Sequence, residues 1–338
     1  MNRHPVVARR RGVAAALAVV LVAVLAACGT PLPQPAPEPV PPVAPPAMSV
    51  AQSNDVLTDL GAVLTQADST LDASALPARV EGPALAIRSA EYVRAVATGG
   101  AKPPTVLPTT AQVEIVPQTT TWPRTQLVVT TQPDDLQAPR ILALQQSAPR
   151  EPYRLWGWAR MGQGVQMPPT AAPATGSAVL APDATGLVVT PTEAMAQYAD
   201  VLTNGAASAY AATFAPDAFR AGIEAARAAT AAGVEAAGTV AETYTPDAAP
   251  LVSLATVDGG ALVVGQLTTV STVTLTVAGG TIPIQDPFYA ALTGTQSAGG
   301  SFVRTFSDVL VMYVPPAGSG APVQVLAAEH AVTSASAS

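Results

Sequence analysis

The chain has 338 residues, 49% hydrophobic, 12% charged and 4% aromatic, with 34 prolines and 25 glycines; that length suits two ordinary domains, and the apolar share is ample for a core. Sixteen basic against 23 acidic residues leave a net charge of −7, a poor match for nucleic acid or an anionic membrane surface. One cysteine and two histidines exclude a disulfide framework and a Cys/His zinc cluster, so neither a metal nor a cofactor is expected.

Residues 1–12 carry Arg3, Arg9, Arg10 and Arg11 and no acid, and residues 13–27 are an unbroken run of Ala, Val and Leu. A basic opening, a short apolar run and small residues at its end form a secretory signal. Fifteen apolar residues fall short of the about 20 that a spanning helix needs. The run closes on Leu25-Ala26-Ala27-Cys28-Gly29, which resembles the lipobox of bacterial lipoproteins. The resemblance implies a signal peptide of residues 1–27, cleavage before Cys28, and a diacylglycerol thioether and palmitate on that cysteine. The chain is then expected on the extracytoplasmic face of the cell membrane, held by its lipid. Loss of the signal leaves a net charge of −11. Arg10-Arg11 invites comparison with twin-arginine signals, but Gly12-Val13-Ala14 replaces the bulky apolar pair found there, so general secretion is the expected route. High Ala, Val, Arg and Pro with Lys102 as the single lysine looks like an actinobacterial composition.

Residues 28–48 read as the lipidated cysteine and a tether. Nine prolines lie between Pro31 and Pro46; such spacing enforces polyproline II. At about 3.1 Å per residue the stretch spans on the order of 50 Å, enough to hold a folded body off a lipid surface.

Two folded halves are expected beyond it, at 49–166 and 185–332, joined by a proline-rich linker at 167–184 and followed by a disordered tail at 333–338. In the first half Ser53-Asn54-Asp55 opens a helix with Val56, Leu57, Leu60, Val63, Leu64, Ala67 and Leu71 at helical spacing. A second helix follows Pro83, and strands are expected at 111–116, 125–131, 140–145 and 153–161. In the second half Thr190-Pro191-Thr192-Glu193 is a capping box with proline in the first helical position. Another helix carries Phe219, Ile223 and Ala226, and strands follow at 251–257, 261–277, 301–314 and 323–332. Asp258-Gly259-Gly260 and Gly279-Gly280 read as hairpin turns, and Asp286-Pro287 as the cap of a short helix. Both halves thus run helix, helix, strands, and Asp55-Val56-Leu57-Thr58 recurs as Asp200-Val201-Leu202-Thr203. The fold class is α+β: two tandem domains, each a helical pair on a curved antiparallel sheet. That order is similar to the cone-shaped nuclear-transport-factor type of domain, and to two-domain actinobacterial lipoproteins.

No Gly-x-Ser-x-Gly elbow, no phosphate-binding Gly-x-x-x-x-Gly-Lys and no dinucleotide fingerprint occurs; Gly162-Gln163-Gly164 follows a strand without opening a helix. His330, the one histidine beyond the signal, reads as an edge or surface residue. Asp134-Asp135 reads as a turn. Asp286, Asp308 and Glu329 lie on separate elements, so only tertiary folding would bring them together. The segment that stands out is Arg154-Leu155-Trp156-Gly157-Trp158-Ala159-Arg160. As a regular strand it puts Arg154, Trp156, Trp158 and Arg160 on one face, either as packing beneath the helices or as a stripe that stacks on a sugar or holds an anion. No catalytic residue is expected. The reading is a non-enzymatic, lipid-anchored binding or scaffolding module of the cell envelope, whose partners are the membrane through Cys28 and an envelope protein or glycan, with no nucleic acid. An accessory solute- or glycan-binding lipoprotein with a pocket near Trp156 and Trp158 is the alternative, and a hydrolase using carboxylates the third.

Overall fold

Helix α1 (Val50–Thr70) is capped by Ser49, four residues before the expected cap Ser53. Ser49 accepts from the Gln52 amide and Gln52 Oε1 accepts from the Ser49 amide, a reciprocal box that satisfies two orphan donors of the first turn. Ser53 is instead a buried helical residue whose hydroxyl accepts from Gln126 in the sheet. Leu57, Leu60, Leu64 and Ala67 form the buried stripe of α1. After a 3-10 turn (Ala73–Ala78), α2 (Gly82–Ala97) takes Pro83 in its first turn. The structure is a computed structural model describing residues 43–134 and 137–338; Cys28, the expected signal segment, the expected tether through residue 42 and Asp135 lie outside them.

The first half continues with β1 (Ala111–Ile115), β2 (Pro117–Gln118), β3 (Arg124–Thr130), β4 (Arg140–Gln146), β5 (Arg154–Met161) and β6 (Ser177–Ala178). The second supplies α3 (Pro191–Asn204), α4 (Ala218–Val234), β7 (Gly238–Pro246), β8 (Val252–Ala255), β9 (Ala261–Leu275), β10 (Ile282–Pro283), α5 (Pro287–Thr293), β11 (Ser297–Ala298), β12 (Ser301–Val314) and β13 (Gln324–Ala337). The Thr190 capping box and the Asp286 cap form as expected. Residues 333–337, expected as a tail, extend β13, and 334–337 pair with β12 beyond a bulge at Thr333. Strand β7 was not expected, because its inward residues Val240 and Glu242 do not make an apolar alternation; pairing with β9 over nine residues makes it a strand. Gly279-Gly280 does not join paired strands, since β10 pairs with β11.

Nine strands form one antiparallel sheet in the order β1-β3-β4-β5-β13-β12-β9-β7, with β8 on β9. From either edge inward, the main path follows chain order, and the two halves meet where β5 pairs with β13. That junction is short: Met161 opposes Ala327 and Arg160 opposes Ala328. Nearby, Leu155 of β5 exchanges backbone bonds with Arg79 and Glu81, so the entry to α2 occupies the strand edge that β13 leaves free.

Residues 43–338 form one compact unit, and the expected linker is packed against it. The segment 167–184 is stitched to both halves: β6 pairs with β2, Ser177 N donates to Val116 O, Leu180 N donates to Ser253 O, and Val257 N donates to Pro169 O. Prolines in this stretch remove donors without preventing the remaining amides from pairing. One core lies under α1 and α2 but also takes Leu254, Leu262, Val264, Val309 and Val311 from the second half. A second lies under α3 and α4, around Tyr198, Leu202, Phe214, Leu267 and Leu310. Gly157 lets the halves close: a Cβ there would stand 3.2 Å from both methyls of Val309.

Candidate functional site

The Arg154–Arg160 stripe does not survive as one face. A β-bulge opposite the Ala143–Leu144 step inserts Trp156 as an extra residue. Trp158 and Arg160 oppose Leu142 and Arg140, whereas Arg154 opposes Gln145, which points to the other side of β4. Trp158 is wholly inaccessible. Trp156 is half-buried against the first core, and its indole lies on Gly82, where a Cβ would meet Cδ1 at 2.8 Å. Gly82 has φ +55°, so the start of α2 favours glycine on both counts. Arg154 pairs with Glu151 at 3.1 Å and Glu81 at 3.7 Å. Of the four, only Arg160 reaches an open site.

That site is a cleft of about 1060 Å³ at the junction of the halves. Its floor includes Val129, Met161, Val325, Leu326 and Ala327, and its rim carries Gln112, Gln163, Gln166 and Gln324, all exposed. Arg160 donates to Gln137 Oε1 at 3.1 Å on one side. On the other stand Phe219 and Asp217. Asp217 Oδ1 caps α4 through Arg220 N at 2.8 Å and accepts from Tyr198 at 2.9 Å, while its buried Oδ2 has no partner among the described residues. Burial, with Asp217 beside it, pushes the Tyr198 phenol up, so it stays a donor. The arrangement offers amide donors and acceptors around an apolar floor, which suits binding of an uncharged hydroxyl-rich solute.

A second grouping was invisible in the sequence. Asp308 and His330 are direct cross-strand partners on β12 and β13, and His330 Nδ1 lies 2.5 Å from Asp308 Oδ1. Asp308 is fully buried, and its Oδ2 accepts from Thr269. The imidazole stacks on Phe306, with centroids 4.1 Å apart and planes at 10°, and meets Phe219 edge-on at 6.0 Å. His330 is therefore an oriented, half-buried ring rather than a free surface residue. Strand parity alone would have put residues 308 and 330 inward; their register would not have been known. Glu329, next in chain, faces away from His330; burial and Glu91 push its carboxyl up to about 7 against the pull of Arg140 and Arg160. Asp286 is occupied in capping α5 and pairing with Lys102 at 3.0 Å. No group of three or more metal-binding side chains occurs among the described residues.

The most polar part of the interior joins α1 to α2. Arg88, nearly inaccessible, donates to Asp68 at 2.7 Å, Glu91 at 2.9 Å and the Thr105 carbonyl at 2.6 Å. Tyr92 adds a bond to Asp68 at 2.6 Å. The guanidinium is matched by two carboxylates through its two terminal nitrogens, so this network ties α1 to α2.

Fold and cleft together describe an α+β protein with one antiparallel sheet shared by two halves and a solute-sized opening at their seam. The chain belongs to the family described as "Domain of unknown function (DUF8094)", whose model matches residues 44–337. Comparison with curated proteins and with solved structures returned no match.

Proposed function

We propose that this is a lipid-anchored, extracytoplasmic binding module of the cell envelope, without catalytic activity, that holds an uncharged, hydroxyl-rich solute or glycan in the cleft between its halves. The observation that carries the reading is the cleft itself: an apolar floor under a ring of exposed glutamines, with Arg160 at one side. Neutral amides bind sugar hydroxyls without the desolvation cost of charges. The site departs from the pocket expected around Trp156 and Trp158, neither of which lines it. The anchor rests on Leu25-Ala26-Ala27-Cys28 and on the prolines that follow.

The two halves are read as tandem modules fused edge to edge at their last strands. Supporting this are the repeated order of helix pair and antiparallel strands and the Asp-Val-Leu-Thr string in the first helix of each half, at 55–58 and 200–203. The test is calorimetric titration of the protein with neutral hexose and pentose oligosaccharides. The double change Gln163→Ala, Gln166→Ala should weaken binding at least tenfold without moving Tm, because both side chains are exposed. Absence of saturable heat with any of these sugars would overturn the cleft reading. Palmitate incorporation that persists in Cys28→Ser would overturn the anchor.

A further inference from the structure

The inner face of the second half carries an arginine with no counter-ion among the described residues. Arg304 lies on β12, opposite Ser271 of β9 and Ala335 of β13. It is half-buried, and no carboxylate among the described residues forms an ion pair with it. Among the described residues its side chain donates from Nη2 to Ser271 Oγ at 3.0 Å, and its buried Nε has no partner. The acid in its own cross-strand row is Glu242, opposite Ser271, and that carboxylate accepts from the Tyr244 hydroxyl at 2.6 Å. Both cross-strand neighbours of Arg304 are small, so neither covers the guanidinium.

Aromatic rings surround it. The guanidinium carbon stands 5.7 Å from the Phe306 centroid and 5.9 Å from those of Phe302 and Tyr289. Phe306 is in turn fixed by the His330 ring, which fully buried Asp308 orients. Two of the rings, Phe302 and Phe306, stand on β12, Tyr289 stands on α5, and Phe306 is backed by the His330–Asp308 hydrogen bond. Withdrawing a cation from water without a matching anion is unfavourable. A planar guanidinium framed by rings is also the side chain best suited to a carboxylate with an apolar body, since it pairs with the acid in two parallel bonds while the rings take up the hydrocarbon.

We propose that Arg304, with Phe302, Phe306 and Tyr289, forms a second site, separate from the cleft, that binds an organic carboxylate with an aromatic or aliphatic body. Arg304 supplies the charge and the rings supply the apolar contact. His330 is a positioning residue that sets the Phe306 ring.

The test uses the full chain and three probes of known structure: benzoate, octanoate and the neutral benzyl alcohol, with inorganic phosphate as a fourth arm. Binding is read by calorimetry and by the shift in Tm. At least one acid should bind saturably and raise Tm, benzyl alcohol and phosphate should not, and Arg304→Gln should weaken the acid at least tenfold. His330→Ala should weaken it less, by loosening Phe306. No saturable response to either acid, equal responses to acid and alcohol, or undiminished binding in Arg304→Gln would each overturn the proposal. A response to phosphate equal to that of the acids would show a simple anion site and overturn the carboxylate assignment. Should Arg304→Gln fail to fold, the comparison of acid with alcohol on the unaltered protein still decides.

Discussion

Replacing Trp158 by alanine tests whether the indole is core or binding surface. Trp158 is wholly inaccessible on β5 opposite Leu142. An indole removes about 200 Å² from water, which at about 25 cal/mol per Å² is about 5 kcal/mol before alanine's own share is subtracted. Truncations of this kind cost about 3–5 kcal/mol, a large part of the about 5–15 kcal/mol that holds a typical fold. The same residue carries a liability, because Nε1 is buried with no partner among the described residues. An orphaned donor costs about 1–3 kcal/mol, and Trp158→Phe removes it while giving up part of the packing. The phenylalanine variant should therefore lie within about 1 kcal/mol of the unaltered protein, by balance of these two effects. Urea denaturation followed by far-ultraviolet circular dichroism separates the variants without depending on tryptophan emission. An alanine variant within about 0.5 kcal/mol of the original would be the behaviour of a surface residue and would refute the assignment to the core. A phenylalanine variant as damaged as the alanine one would refute the orphaned donor.

Limited proteolysis should leave one resistant body from about residue 43 onward, because 167–184 is hydrogen-bonded to both halves; two stable fragments cut within that segment would refute the shared core. Glu329 makes stability fall with rising pH. Its carboxyl sits above the ordinary 4.5, at about 7, so between those values the folded chain holds a proton that the unfolded chain has lost, and folding is progressively penalised until the group ionises. Glu329→Gln should flatten the decline of Tm across that window, and an unchanged slope would show that Glu329 does not cause it.

Much of the fold was legible because it is written locally. The Thr190 and Asp286 caps, the proline at the start of α3 and the strand patterns of β1, β3, β4, β5, β9 and β12 each depend on residues within a few positions of one another. The misses have two origins: the first was a local box overlooked, and the other two were set by a partner strand. Ser53 resembles a cap until Ser49 and Gln52 close a box ahead of it. Strand β7 has too little apolar alternation to declare itself and exists through its pairing with β9. The Arg154–Arg160 stripe assumed an unbroken period of two, and a bulge set by β4 broke it at Trp156.

From sequence alone come the signal-like opening with Cys28, the proline-rich stretch after it, the α+β class and the helix-then-strand order of both halves, since composition and short-range periodicity carry them. Only the tertiary structure decided that the halves share one sheet, that Trp158 is core while Arg160 borders a cleft, and that Asp308 meets His330 while Arg304 meets no acid among the described residues. A period of two says which residues turn inward, but not which strand will lie alongside or in what register. Those depend on contacts between residues far apart in the chain, and the candidate sites are made of such contacts.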